Sequence, residues 1–333
     1  MKILDKGYWV SNLFYIRSLV HWFLSSIRFQ SITFFSAVNP ALHLGGMLDD
    51  RKSDVYVMLP EYFLPKMLVV SPTDDNIPEL LKENSLQFPL IVKPDVGYKG
   101  YLVRRVENNT EMKDALTQYG ERKALIQEFL NHPREFSLFY YRLPKSGKQG
   151  VSSFVEKILP YVIGDGKSTL RELINKSASA FLDKKYVLNK KVGKLDLIIP
   201  KGQKEIIDHV GNISRGSKFY SMNEEIDDAM IESSRQLFSY LDGINFGRVD
   251  LKANSVEDVK KGNFKVIEIN GAKSEPLHMY EPSMPWNKVW KIISDHWVIL
   301  NSIVSEQLSS TYHLPSAKDG IAAAKSFKKQ TTS

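Results

Sequence analysis

"INFGRVDLKANSVEDVKKGNFKVIEINGA", residues 244–272, decides how this chain is read. Its halves "FGRVDLKA" and "FKVIEING" carry the β-branched residues and alternation of strands, with an Asn- and Gly-bounded loop between them. Side chains alternate across a strand, so Arg248 and Asp250 share one face, and Glu268 and Asn270 share one face. Val249, Leu251, Ile267 and Ile269 then point toward a core. Paired as a hairpin, the strands are apolar on one side and hold two carboxylates, an amide and a guanidinium on the other. Oxygen ligands of that kind suit Mg²⁺, which takes one or two carboxylates and leaves room for phosphates and water. The plain alternative is a half-exposed hairpin with surface salt bridges, because charged strand faces turned to water are common.

The rest of the chain narrows the setting. At 333 residues it is long enough for about two domains or one large composite one. The absence of cysteine excludes disulfides, thiol catalysis and cysteine metal sites, and is compatible with a reducing cytoplasmic location. A net charge of +7 favours anionic partners such as nucleotides or phospholipid headgroups. The basic residues are dispersed, however, and no nucleic-acid-binding motif shows, so a nucleic-acid partner is not expected. The seven histidines never come close enough in sequence to suggest a metal pair.

The N-terminal stretch "GYWVSNLFYIRSLVHWFLSSIRFQ" is dense in aromatics but interrupted by Arg17, His21 and Arg28. Wound as a helix, it gathers Trp9, Leu13, Ile16, Val20, Phe23, Leu24 and Ile27 into one broad stripe. Ser11, Ser18 and Ser25 recur on the other side, bordered by the three basic residues. Three readings stand open: a helix docked on its own core or on a second copy of the chain, a helix lying in a membrane interface, and a span. In the interface reading residues 8–28 lie aromatic side down with the arginines toward headgroups at the inner face of the membrane. The span fits worst, since roughly 20 mostly apolar residues with few charges are needed. A cleavable leader would want an unbroken apolar core and a small-residue cleavage site, and neither is clear.

From Leu59 onward the pattern is regular. "MLPEYFLPKMLVVSP" predicts a helical turn and a strand, "DNIPELLKENSL" a helix, and "FPLIVKPD" a buried strand. "STLRELINKSA" opens with a capping box, Thr169 with Glu172 three residues on. "MNEEIDDAMIESSRQLFSYLDG" predicts an amphipathic helix ending at Gly243, and the last helix runs from about Pro285 to Leu308. The small, polar, basic residues beyond it are expected to fray. The expected organisation is an aromatic helical segment over 1–58, a composite α+β domain over 59–312 divided at 130, and a flexible basic tail over 313–333.

"PLIVKPDVGYKGYLVRRV" places Lys93 at the end of a strand, before a turn containing Gly97 and Gly100. An ammonium beside such a turn can hold phosphate oxygens, because glycine lets backbone N–H groups come close. It is neither the Walker nor the Rossmann pattern, and an ordinary surface hairpin reads the same way. Order adds specificity: this hairpin, then "ALIQEFLNHPRE", then "VEKILPYVIGDGKSTLRELI", "GNISRGSKF", and the paired acidic strands. In that order residues 65–310 resemble the ATP-grasp superfamily, above all the ATP-grasp region of cyanophycin synthetases, with D-alanine–D-alanine ligases as further relatives.

The resemblance implies two α+β subdomains gripping ATP. Lys93 would contact phosphates and the Gly97–Gly100 turn would close over them. Gln127, Glu128, Phe129 and Leu130 would line the adenine, with Glu128 near the base, and Glu135 would take the ribose hydroxyls. Lys157 would contact phosphate or acyl phosphate, and Arg215 and Arg248 would stabilise the moving phosphoryl group. Asp250, Glu268 and Asn270 would hold two Mg²⁺ (or Mn²⁺) ions, bridged by Glu268. Ser274, Glu275 and His278 lie where an acceptor binds in such ligases, or form a surface loop. The sequence departs from the pattern in the bulky Tyr98 and Lys99 of the lid and in lacking a β-α-β domain before the grasp. The activity implied is ATP-dependent joining of a small-molecule carboxylate to an amine through an acyl phosphate. A small-molecule kinase and a non-catalytic, membrane-associated nucleotide-binding module are the alternatives.

Overall fold

The computed structural model describes residues 6–48, 51–74, 76–97, 100, 102–177, 182, 184–190, 192–308 and 312–332. Tyr98 and Lys99 of the expected lid, and the side chain of Trp9, lie outside what it describes. The chain opens with α1 (Lys6–Arg28) and, after two short 3₁₀ turns, α2 (Lys52–Tyr56). A first sheet follows: β1 (Met67–Val70), α3 (Ile77–Glu83), β2 (Leu90–Pro94), β3 (Arg104–Val106), α4 (Asn109–Thr117) and β4 (Ala124–Glu128). Its strands run in the order β1-β4-β2-β3, all neighbours antiparallel, with a core of its own under α3 and α4. Asn108 starts α4 by accepting the Glu111 backbone N–H, as a short polar side chain at that position should.

The second part begins with β5 (Arg134–Arg142) and β6 (Gln149–Ile158). A small excursion follows, β7 (Tyr161–Ile163), α5 (Leu170–Lys176), α6 (Lys184–Lys190) and β8 (Lys204–Ile206), with a satellite core. The Thr169–Glu172 capping box opens α5 as expected. Then come β9 (Lys218–Ser221), α7 (Asp228–Ser239), β10 (Phe246–Ala253), α8 (Val256–Lys260), β11 (Lys265–Asn270), α9 (Trp286–Leu308) and α10 (Ala317–Thr332). The large antiparallel sheet has the order β11-β10-β5-β6-β9. Mixed helices and three antiparallel sheets, the third formed by β7 and β8 alone, make the α+β class read from the sequence.

Each face of the large sheet has its own cover. Phe136, Leu138, Val249 and Leu251 point into a core shared with α7. Phe139, Val155 and Phe246 point the other way, into a core shared with α9 and residues 34–38. On that second face β10 continues from Phe246 to Arg248, Asp250 and Lys252, and β5 from Phe139 to Ser137 and Glu135. The face is therefore apolar at one end and charged at the other.

β10 and β11 form the expected hairpin, with α8 in the connection where sequence indicated a loop. Arg248 pairs with Asn270 and Asp250 with Glu268, after which the register shifts by one residue. That bulge departs from simple alternation: Val266 and Ile269 are core residues, while Ile267 lines the cavity instead of the core.

At both ends of the chain, packing adds what composition left open. α1 docks on α9 through its serine side, not its apolar stripe. Trp297 Nε1 donates to Ser18 Oγ at 3.1 Å, Arg17 to Ser294 Oγ and Arg28 to Ser305 Oγ, each at 3.3 Å. His21 stacks on Trp297 with centroids 5.8 Å apart. Ile16, Leu19, Val20, Phe23, Leu24 and Ile27 are left 50–65% exposed. Amphipathicity specified that one face differs from the other; the flat, small serine side fits closer to α9. The tail over 313–333 is not wholly irregular: α10 is helical, with Ala323 buried, and Pro315 accepts from Thr33 Oγ1 at 2.6 Å. Tertiary contact holds a segment whose composition alone pointed to fraying. Among the described residues, no helix is long and apolar enough to cross a membrane.

Candidate functional site

A cavity of about 900 Å³ lies between the two sheets and runs on toward α1 and α9. Its charged part is built on the β10–β11 hairpin. Asp250 is buried, accepts from Ser137 Oγ at 2.8 Å, and pairs with Lys157 Nζ at 2.9 Å and Arg248 Nε at 3.3 Å. Burial alone would push the Asp250 carboxyl up, but Lys157, Arg248 and the Ser137 hydrogen bond outweigh it and hold it below the ordinary range. Burial also opposes ionisation of Glu268; there Lys52, Lys93 and Arg248 outweigh burial and the neighbouring Asp250, and the carboxyl again sits low. Both carboxylates are thus ionised on directly paired positions of adjacent strands.

Lys93, at the end of β2, reaches across to the large sheet. Its Nζ donates to the Ile267 carbonyl at 3.0 Å and to the Tyr56 hydroxyl at 3.1 Å. Tyr56 itself donates to the same carbonyl. Burial, helped by nearby Lys52, drags the Lys93 ammonium down to about 7 against the pull of Glu268 and Asp95. Burial and the surrounding carboxylates push the Tyr56 hydroxyl well above its usual value, so it stays a neutral donor. Lys52 pairs with Glu268 at 3.6 Å and donates to the Asp95 carbonyl at 3.3 Å.

At the other end, residues 127–130 line the cavity together with Ile91, Val103 and Val210. The Phe129 ring carries the Arg105 guanidinium 4.5 Å from its centroid and Lys252 Nζ at 5.3 Å. Lys252 Nζ also donates to the Leu130 carbonyl at 3.3 Å. Gln127 is buried with its side-chain oxygen unpartnered, whereas the Glu128 carboxylate is taken by the Lys66 backbone N–H at 2.8 Å. Glu135 is buried 3.6 Å from Lys157, its carboxyl raised by burial despite Lys157 and Lys252. A Cβ on Gly211 would overlap that carboxylate, so a side chain there would push Glu135 aside.

Most of the residues singled out in the sequence therefore share one cavity, including Lys93, Gly97, Gly100, Lys157, Arg248, Asp250, Glu268 and Asn270. Arg215 does not line it. Its guanidinium bonds Asp208 at 3.2 Å and the Gly100 carbonyl at 2.9 Å, tying the turn after β2 to the loop before β9. Ser274 and Glu275 line the cavity, with Ser274 donating to the Asn270 carbonyl at 2.7 Å and Glu275 accepting from Tyr280. His278 is buried beneath it, bonded through Nδ1 to Ser153 Oγ at 2.8 Å, and burial lowers it to about 4.

Lys52, Tyr56 and Lys252 escaped the sequence reading. Lys252 was within reach, as the third same-face position of β10 after Arg248 and Asp250. Lys52 and Tyr56 carried no signal, because they sit on a five-residue helix in a segment set apart from the composite domain.

Among the described residues no three His, Cys, Asp or Glu side chains gather as a metal cluster. The donor set still fits Mg²⁺: two ionised carboxylates in register and the Asn270 amide, whose buried nitrogen has no partner and whose two ends interchange by a half-turn.

The sequence matches no family model and no curated protein. Among solved structures the chain is similar to several ligases. A D-alanine–D-alanine ligase from Bacillus anthracis is 16% identical, with 80% of this chain and 68% of that one covered and a TM-score of 0.44. A D-Ala:D-Ser ligase from Enterococcus faecalis is 15% identical, over 78% of this chain and 62% of that one, with a TM-score of 0.43. A bifunctional glutathione synthetase from Pasteurella multocida is 16% identical, over 74% of this chain but 35% of that one, with a TM-score of 0.38. The chain thus spans less than two thirds of the last two.

Proposed function

We propose that this chain is an ATP-dependent carboxylate–amine ligase that works through an acyl phosphate and releases ADP. The observation that carries the reading is the convergence in one cavity of two ionised carboxylates with Lys52, Lys93, Lys157 and Arg248. Such a set matches the demands of phosphoryl transfer, which needs positioning and charge neutralisation more than covalent help. Lys93 would bind phosphate oxygens, Phe129 and Gln127 the base, and Glu135 the ribose hydroxyls. Asp250, Glu268 and Asn270 would hold Mg²⁺ or Mn²⁺, which when bound neutralises phosphate charge.

In the chemistry proposed, a substrate carboxylate oxygen attacks the γ-phosphorus and the bond to ADP breaks. An amine then attacks the acyl carbon, phosphate leaves, and the amine's proton passes to phosphate or solvent. Arg248 and Lys157 offset the charge on the moving phosphoryl group. Closure of the two sheets excludes water from the acyl phosphate. The test is ADP release against pooled carboxylates and amines, with mass spectrometry of products. An amide formed with stoichiometric ADP supports the ligase. ADP with a phosphorylated product and no amide would replace it with a kinase, and no turnover with intact ATP binding would leave a binding module.

A further inference from the structure

The cavity does not end at the charged platform. Beyond Asn270 and Ser274 it continues between α1 and α9 as an apolar wing, lined by Phe14, Leu19, Trp22, Trp297, Leu300 and Phe327. Among the described residues, no Asp, Glu, Lys or Arg of α1, α9 or α10 lines it. The wing follows from the sheet, whose site-bearing face turns from Glu135, Asp250 and Lys252 to Phe139 and Phe246. At the junction stands His296, buried with its Nδ1 unpartnered and held neutral by burial, which lowers it to about 3. Leu19 and Tyr15 line the wing yet are 65% and 48% exposed, so it opens at α1. Its mouth lies on the same apolar stripe that α1 turns outward.

ATP has no use for such a wing, because its base, ribose and phosphates are matched by the groups between Phe129 and Asn270. We infer that the wing receives the hydrocarbon chain of an amphiphilic substrate, whose carboxylate or amine end reaches the platform at Arg248 and Asn270. This rests on the ligase reading of the same site and names the class of substrate that it takes. A chain entering at Leu19 passes mostly apolar and aromatic side chains, with Asn12, Tyr15 and Ser18 as uncharged polar neighbours, until it meets the His296 junction. An apolar tail gains from leaving water there, whereas a sugar or a charged peptide would lose its hydration with nothing to replace it. The outward stripe of α1 gives such a substrate a route in from a lipid phase, with no passage through bulk water.

The experiment is calorimetric binding, without nucleotide, of n-alkyl carboxylates and n-alkylamines from butyl to dodecyl, kept below their aggregation concentrations. ATP binding is measured in parallel. Affinity should rise about four-fold per added methylene in one or both series, from the roughly 0.8 kcal/mol that each buried methylene contributes. Leu300→Trp, which fills the wing, should flatten that rise beyond short chains with ATP binding unchanged. Leu19→Glu places a charge at the mouth without touching the core and should weaken dodecyl binding at least ten-fold. Phe23→Glu, on the outward stripe but not lining the wing, should leave the series intact. Affinity independent of chain length, or a series abolished by Phe23→Glu but indifferent to Leu19→Glu and Leu300→Trp, overturns the inference. A series that persists while ATP fails to bind supports the tail site and overturns the nucleotide reading instead.

Discussion

The β10–β11 hairpin and the α1 helix are both two-faced in sequence, and they orient their faces oppositely. In the hairpin the apolar side chains enter the core and the charged ones meet in a sheltered cleft. In α1 the serine, histidine and arginine side lies inward against α9, and the apolar stripe looks out. Both faces of the large sheet are covered, so the hairpin's polar residues are enclosed together with their partners. A terminal helix has one contact to make, and shape can decide which side makes it. Polar groups buried in company carry large energies; polar groups along a seam carry small ones.

The contrast can be broken first at Asp250. Asp250→Ala leaves Lys157 and Arg248 facing each other in a buried site, and should destabilise the protein by about 3–5 kcal/mol. Chemical denaturation measures this, and a loss below 1 kcal/mol would mean the hairpin's polar face is no more demanding than the helix seam. Glu268→Gln keeps shape and size in a less enclosed position. It should leave stability nearly unchanged while turnover falls roughly 10²- to 10³-fold, the scale seen when one charge-stabilising group is lost.

Lys93→Ala should weaken ATP binding by about 1.5–3 kcal/mol, the worth of a charge-assisted bond. A pH series sharpens it. Free Lys93 titrates at about 7, and adjacent phosphates would raise it, so binding above pH 7 must take up a proton. ATP affinity should therefore fall as pH rises from 7 toward 9, and calorimetry in buffers of different ionisation heat should detect the proton. Below pH 7 the residue is already charged and adds no dependence. An equal slope in Lys93→Ala would assign the proton elsewhere.

Ser18→Ala removes the acceptor for Trp297 and should cost only about 1 kcal/mol. Smallest of all in stability is the outer stripe, where Phe23→Ser should stay within about 0.5 kcal/mol of the parent. The same change should reduce co-sedimentation with lipid vesicles. Driven by the apolar stripe and not by headgroup charge, that binding should respond little to salt. Strong salt dependence, or a stripe that ignores vesicles and instead sets a concentration-dependent dimer, would redirect the apolar face to a second copy of the chain.

These differences track what a sequence can express. Strand alternation placed Arg248, Asp250, Glu268 and Asn270 together because period two has only one way to satisfy a buried neighbour. It misplaced Ile267, since a bulge is a property of the pair and leaves no mark on either strand alone. The capping box at Thr169 was legible because both partners are local. Lys52 was not, because its role depends on meeting Glu268 from more than two hundred residues away. Arg215 shows the converse: its motif was visible, but Asp208 and the Gly100 carbonyl claim its guanidinium. The outward stripe of α1 was visible as a stripe, while its direction was decided by the shape of α9.

Lys93 links the geometry of the two sheets to the occupancy of the cleft between them. Its nitrogen gives bonds to Tyr56 and to the Ile267 carbonyl, tying β2 to β11. A phosphate can draw on that nitrogen fully only by competing with the tie, and Tyr56, which donates to the same carbonyl, keeps that oxygen from being stranded when the lysine turns away. Under the proposed function, a phosphate that drew Lys93 away would exchange part of that tie for its own bond, so capture of the phosphate and slackening of the joint between the sheets would become a single exchange.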